Sequence, residues 1–300
     1  MKPKVCFLTS ADMMKDRPGA REDWIEFDLE FSALREGCAQ HGIDLDYRIW
    51  DQAFDAAEFD AFMIGTVWDY PPKLQQFLET LDRLERQGPV LNPPHIVRWN
   101  IQKNYLRALA EAGAPSIPTV WADHADETRI QDAFDALDAQ ELVIKPLVGG
   151  GAWRQVRLKR GEPLPEAEAL PPAQCLIQPF LPSLPEEGEY SFLMFGGQFS
   201  HAVQKLPKSG DYRVQSIFGA REIIHTPRPG ELDLVQTVLE KAARLTGEAD
   251  LLYARVDMVR GLDGQLALME LEIIEPYLYP EQGPDMGTHF ARALKAKLDG

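Results

Sequence analysis

Short apolar runs alternate with helix-spaced apolar positions along the N-terminal third of the chain. Val5–Leu8 reads as a buried strand closing in the polar turn Thr9-Ser10-Ala11-Asp12. Leu29, Ala33, Leu34 and Cys38 recur at helical spacing before the stop signal His41-Gly42. Ile43–Trp50, Phe62–Gly65 and Val90–Leu91 read as further strands, with a helix through Leu74, Phe77, Leu78 and Leu81 between the last two. Strand–helix repetition of this kind predicts a parallel sheet in a Rossmann-like layer, with ligands at the carboxyl ends of the strands. Thr9, Ser10, Asp12 and the turn Thr66-Val67-Trp68-Asp69-Tyr70 are the surfaces that such a sheet would present.

Asn92-Pro93-Pro94 punctuates this unit, and Asn100 is expected to cap a helix from Ile101 to about Ala112, closed by Gly113. Strand signals and a Pro/Glu/Ala-rich linker, Gly161–Pro172, fill the middle of the chain. From Tyr190 the pattern turns strand-rich, with hairpin turns expected at Phe195-Gly196-Gly197, Pro207–Gly210 and Gly261–Gly264. The pattern predicts three units, residues 1–95, 96–180 and 181–300.

Composition narrows the function. In 300 residues, 31 Lys and Arg against 47 Asp and Glu leave a formal charge of −16. A surface this acidic repels phosphate backbones and anionic lipid, arguing against nucleic-acid or membrane partners. It leaves room for a basic pocket holding one anion. The three cysteines, Cys6, Cys38 and Cys175, lie too far apart for a zinc site or a disulfide scaffold. With no signal peptide and no long apolar stretch, the expected location is the cytoplasm.

The strongest chemical signal is a pair of alternating strands, Tyr253–Val259 and Leu266–Ile274, around an Asp263-Gly264 turn. Period-2 alternation puts Arg255 and Asp257 on one face and Glu270 and Glu272 on the matching face, with Ala267, Met269, Leu271 and Ile273 opposite. Pairing would set Asp257 near Glu270 and Arg255 near Glu272. Carboxylates crowded in this way repel unless a cation offsets them. Oxygen-only donors suit Mg²⁺ or Mn²⁺, while a solvated face with Arg255 as counter-ion is the alternative.

Three basic signals precede the hairpin. Leu142-Val-Ile-Lys145 runs into Gly149-Gly150-Gly151, which sets a cation beside bare backbone N–H groups suited to phosphate. Lys103 falls in the first turn of the Asn100 helix, where a cation is unfavourable unless an anion joins it. Ser200-His201-Ala-Val-Gln-Lys205 and Asp211-Tyr-Arg213-Val-Gln215 predict a hairpin bearing Lys205 and Arg213.

Taken in order, these motifs resemble the ATP-grasp superfamily over about residues 92–276, in particular D-alanine–D-alanine ligase and bacterial glutathione synthetase. Trp68-Asp69-Tyr70, Arg98-Trp99-Asn100, Tyr212-Arg-Val-Gln215 and Glu270-Leu-Glu-Ile-Ile-Glu-Pro276 extend the likeness to the group that forms cycloserine from O-ureidoserine. The resemblance implies an α/β (α+β) ATP-grasp fold: a Rossmann-like N-terminal domain, a small central lid and a mostly antiparallel C-terminal domain. It also implies an ADP-forming carboxylate–amine ligase or cyclo-ligase working through an acyl phosphate on a small amino-acid-like carboxylate. An ATP-dependent kinase and a nucleotide-binding protein without ligase activity are the alternatives.

By the same likeness, Asp257, Glu270 and Glu272 would hold two Mg²⁺, with Mn²⁺ as the other candidate, and Arg255, Lys205 and Arg213 would steady the transferring phosphoryl group. Lys103, Lys145 and the Gly149, Gly150 and Gly151 lid would contact ATP phosphates. Gln178, Phe180 and Leu181 resemble the adenine hinge. Glu189 stands at the ribose position, with Glu186 and Glu187 as competitors. Asp12, Trp68, Asp69, His201 and Glu275 are the expected substrate determinants, and a homodimer is compatible with the family. Two departures stand out: those ligases usually carry Asn where Glu272 stands, and Gly149-Gly-Gly-Ala-Trp153 replaces a Ser-bearing loop.

Overall fold

Buried alternation in the N-terminal third produces four parallel strands, β1 (Lys4–Thr9), β2 (Asp44–Ile49), β3 (Ala61–Ile64) and β4 (Val90–Leu91), in the order β2-β1-β3-β4. The computed structural model describes residues 2–148, 153–208, 210, 213–214 and 219–299; the glycine lid Gly149–Gly151 lies outside them. Helix α1 (Ile25–Gln40) lays Phe27, Phe31, Leu34 and Cys38 on this sheet, and α2 (Leu74–Glu85) covers the other side through Phe77, Leu81 and Leu84.

The next segment departs from expectation. Pro94 occupies the first turn of an earlier helix, α3 (Pro94–Asn100), because its fixed φ suits that position. Asn100 therefore ends a helix instead of capping one. Its buried amide donates to Leu271 O at 2.9 Å. The following helix, α4 (Asn104–Glu111), starts with Lys103 at its N-cap and no side-chain cap.

A second sheet is wholly antiparallel, in the order β5-β8-β6-β7: β5 (Val120–Ala122), β6 (Glu141–Pro146), β7 (Val156–Lys159) and β8 (Cys175–Pro179). Helix α5 (Glu127–Ala136), capped by the Asp126 carboxylate on Arg129 N, closes its core with Ile130, Ala133 and Phe134.

After α6 (Ser183–Glu187) comes a five-stranded antiparallel sheet, β9 (Glu189–Phe195), β10 (Gln198–Leu206), β11 (Arg221–His225), β12 (Tyr253–Arg260) and β13 (Leu266–Glu272), ordered β11-β10-β9-β12-β13. Among the described residues the outer partner of β10 is β11, with Lys205 opposite Glu222, where the Arg213 segment is the expected partner. Arg213 and Val214 are described but irregular, and most of the loop around them lies outside the described residues. Helix α7 (Glu231–Thr246) packs Val235, Val238 and Ala242 on the back of this sheet.

The chain then returns to its start. Helix α8 (Met286–Asp299) crosses α1 at Gly37 and Gly287, where a Cβ on Gly37 would sit 2.1 Å from the Gly287 backbone. That close approach needs glycine on both helices. It also ties the N-terminal unit to the segment that follows β13.

Candidate active site

The acidic hairpin forms in the expected register, Arg255 opposite Glu272 and Asp257 opposite Glu270. A bulge then breaks the alternation: Met258 pairs with Leu268, leaving Met269 as the extra residue. Leu271 and Ile273 stay in the core behind the sheet, but Ala267 and Met269 turn to the other side and pack with Val259, Ile117, Leu181 and Leu184. The expectation that all four share the rear face is therefore corrected at Ala267 and Met269. One inserted residue inverts a period-2 pattern, and here it supplies an apolar wall beside the Gln178–Leu181 segment.

Charges on the face of the sheet that carries Arg255 and Asp257 are paired. Arg255, only 6% exposed, donates from Nε and Nη2 to Asp257 at 3.0 Å each, and reaches Glu272 at 2.5 Å. Ser191 Oγ donates to Asp257 at 2.5 Å. Burial opposes ionisation of Asp257, but Arg255 and Lys205 outweigh it and hold the carboxyl below its usual range. Burial pushes the Glu272 carboxyl up to about 8 despite Arg255. Lys205 pairs with Glu189 and lies 3.6 Å from Asp257, and these carboxylates raise its pKa against the opposing effect of burial.

Lys103, at the N-cap of α4, and Lys145, in β6, belong to two elements that one backbone bond joins. Lys103 N–H donates to Leu147 O at 2.9 Å, which pins the start of α4 to the end of β6. Lys103 Nζ pairs with Glu270 at 2.6 Å, so its cation is offset by a carboxylate and the expected clash with a capped helix terminus does not arise. Lys145 Nζ donates to Met269 Sδ at 3.2 Å, and burial pulls its pKa down to about 8.

At the hinge, Gln178 Nε2 donates to Thr119 Oγ1, Phe180 N donates to Glu141 O at 2.8 Å, and Arg157 stacks on the Phe180 ring at 3.6 Å. Glu189 is buried beside Lys205. Glu187 is held by Arg260 at 2.7 Å and Tyr190 at 3.0 Å, and Glu186 is exposed.

The remaining expected residues scatter. Trp68 Nε1 donates to Glu275 O at 3.0 Å, and the Glu275 carboxyl, hydrogen-bonded to Tyr70, is pushed by burial up to about 7. Asp69 is committed to Trp50 and Lys73, both at 2.6 Å. Asp12 accepts from Ser10 Oγ at 2.5 Å beyond β1. His201 is buried; Nε2 lies 2.9 Å from Leu278 O, and burial lowers its pKa to about 4, so it is neutral near pH 7. Sequence reasoning missed Glu30 and Tyr279, and named Tyr70 only within the Trp68-Asp69-Tyr70 turn, not as the partner of Glu275. Glu30 lies on the apolar stripe of α1, and Tyr279 is an aromatic position outside every motif.

Donor chemistry in the hairpin, three carboxylates from two paired strands, suits a hard divalent cation. Among the described residues, however, no three acidic, His or Cys side chains converge closely enough to hold an ion. Arg255 and Lys103 instead neutralise the carboxylates. No helix among the described residues is long and apolar enough to cross a membrane. The three cysteines are buried and free.

Residues 5–92 match the family described as the N-terminal domain of the D-cycloserine synthetase DcsG. The chain is 28% identical over 286 residues to the cycloserine biosynthesis protein DcsG of Streptomyces lavendulae, covering 91% of this chain and 95% of that protein. It is 31% identical over 229 residues to the glutathione synthetase of Prochlorococcus marinus strain MIT 9313, covering 73% of this chain and 67% of that one. The crystal structure of D-cycloserine synthetase DcsG matches with a TM-score of 0.84 at 26% identity, over 98% of this chain and 99% of that one.

Proposed function

The chain belongs to the ATP-grasp ligases, and from that premise we propose that it is an ADP-forming cyclo-ligase or carboxylate–amine ligase acting on a small amino-acid-like substrate. The observation that carries this reading is the alternating array of cations and carboxylates on the ligand face: Lys103–Glu270, Arg255–Asp257–Glu272 and Lys205–Glu189. A binding protein for a neutral ligand needs no such array, whereas transfer of a phosphoryl group needs positive charge around its oxygens and negative charge to hold a metal.

A substrate carboxylate oxygen attacks the γ-phosphorus of ATP and ADP leaves, giving an acyl phosphate. A nitrogen lone pair then attacks the acyl carbon; the C–N bond forms, the C–O bond to phosphate breaks, and the nitrogen gives up a proton. Arg255 and Lys205, with Arg213, orient the moving phosphoryl group. Lys145 and Lys103, together with the Gly149–Gly151 segment, hold the ATP phosphates. Gln178, Phe180 and Leu181 receive the base beside the Ala267/Met269 wall, and Glu189 the ribose. Asp257, Glu270 and Glu272 would hold Mg²⁺, two ions by our reading, exchanging their present partners for it. When bound, Mg²⁺ neutralises charge on the phosphates. Glu275, held by Tyr70 and lying past the hairpin, would receive a substrate ammonium group, with Trp68 beside it and Asp12 beyond β1.

The test is ADP release in MgATP over a panel of amino acids and O-ureido-D-serine, with product analysis. Substrate-dependent ADP and phosphate together with a new C–N bond support the reading. A stable phosphorylated product, or no release with any substrate, overturns it.

A further inference from the structure

Leu278 is gripped between two buried polar side chains from separate parts of the chain. Its N–H donates to Glu30 Oε2 on α1 at 2.8 Å, and its carbonyl accepts from His201 Nε2 on β10 at 2.9 Å. One residue earlier, Tyr277 O accepts from Arg255 Nη1 at 3.1 Å. Glu30 is 1% exposed. The His201 ring is boxed in by Gly283, where a Cβ would lie 2.6 Å from it, and its Nδ1 lies 3.0 Å from Ser200 Oγ. Neither Glu30 nor His201 touches the cation and carboxylate array, so the reaction as described gives no reason to bury them.

The residue they constrain is Tyr279. Its φ is 51°, a left-handed conformation that is strained for a bulky side chain and persists only where the surroundings enforce it. That backbone turn aims the ring at the site: its centroid lies 5.8 Å from Lys205 Nζ and 5.6 Å from the Arg255 guanidinium carbon. Tyr277 meets it edge-on at 5.0 Å and stands edge-on to Trp68 at 6.3 Å. Beneath this aromatic row Lys205 and Arg255 are 5% and 6% exposed. A tyrosine needed only for packing requires neither a left-handed backbone nor two cations under its ring.

We propose that Tyr279 is a positioning residue that roofs the phosphoryl site, held over Lys205 and Arg255 by the Glu30/His201 clamp on Leu278, and that the roof keeps water from the phosphoryl and acyl-phosphate groups. The inference rests on the reading of Lys205 and Arg255 as phosphoryl ligands. Water that reaches the acyl phosphate returns the carboxylate and releases phosphate, so ATP is consumed without a C–N bond.

Two assays on the full-length enzyme test it: ADP release in MgATP alone, and the ratio of ADP to cyclised product with O-ureido-D-serine. Tyr279→Ala is expected to raise substrate-free ADP release about tenfold and to push the ratio above that of the wild type, because the roof is gone. Tyr279→Phe retains the ring and should match the wild type in both assays. Glu30→Ala and His201→Ala should shift both readouts in the same direction as Tyr279→Ala but less, while Glu30→Gln, which preserves an acceptor for Leu278 N–H, should not. A Tyr279→Ala protein that melts cooperatively and shows wild-type values in both assays overturns the proposal. Should it not fold, Tyr279→Leu, apolar but without the aromatic face, carries the same two outcomes. Failure of the functional reading has a different signature, the absence of substrate-dependent ADP release by the wild type, and substrate-free hydrolysis by the Tyr279 variants then decides the roof alone.

Discussion

Lys103 Nζ sits 2.6 Å from the Glu270 carboxylate, joining the start of α4 to the hairpin 167 residues further on. The pair lies where a phosphate-binding lysine and a metal-binding carboxylate are expected to work side by side. Each neutralises the other.

Glu270→Gln keeps the shape of this contact but removes the charge. ATP turnover should fall on the order of a hundredfold or more. Folding stability should shift by no more than about 1 kcal/mol, since the pair is partly solvated. Coupled ADP assays and urea titration measure the two effects, and unchanged turnover would refute the metal assignment.

Arg255 has a different balance. Replacing it with Ala strands the buried Asp257 and the half-buried Glu272 without their shared partner. The expected loss of stability is about 3–5 kcal/mol, together with loss of activity. Urea unfolding read by tryptophan fluorescence checks this, and a drop below about 1 kcal/mol would show that Lys205 alone can hold both carboxylates.

Nucleotide affinity should depend on pH through Lys145, whose pKa burial lowers to about 8. The charged form is lost as pH rises through that value, so ATP binding should weaken above pH 8 by up to about tenfold per pH unit. Lys145→Met should bind weakly at every pH, without that slope. Titration of a fluorescent nucleotide at pH 7, 8 and 9 separates the two patterns.

Glu30 gives a stability signature that is separate from catalysis. Burial raises its pKa from 4.5 to about 8, so the folded state retains a proton that the unfolded chain releases above its own pKa. Stability from this group therefore falls as pH rises between about 4.5 and 8, by at most a few kcal/mol. Glu30→Gln should be increasingly stable relative to the wild type from pH 5 to pH 9. Parallel melting curves would contradict the assignment.

Local pattern on the chain determined much of this molecule. Apolar runs bounded by polar turns specified β1 to β4, and strict alternation around Asp263-Gly264 specified the partners Arg255/Glu272 and Asp257/Glu270, because side-chain period and turn chemistry are properties of neighbouring residues. The same local logic misplaced the helix at Asn100, where two residue types compete for a helix start and Pro94 prevails.

Only the tertiary structure decided the rest. The Met269 bulge inverts a face that alternation alone would leave intact, and β11 instead of the Arg213 segment covers the edge of β10. A backbone bond from Lys103 to Leu147 joins the start of α4 to the end of β6, and Glu30, His201 and Tyr279 converge from α1, β10 and the segment after β13. These contacts depend on packing between units remote in sequence, and a carboxylate on an apolar helix stripe shows its purpose only once the peptide that it binds has been folded against it.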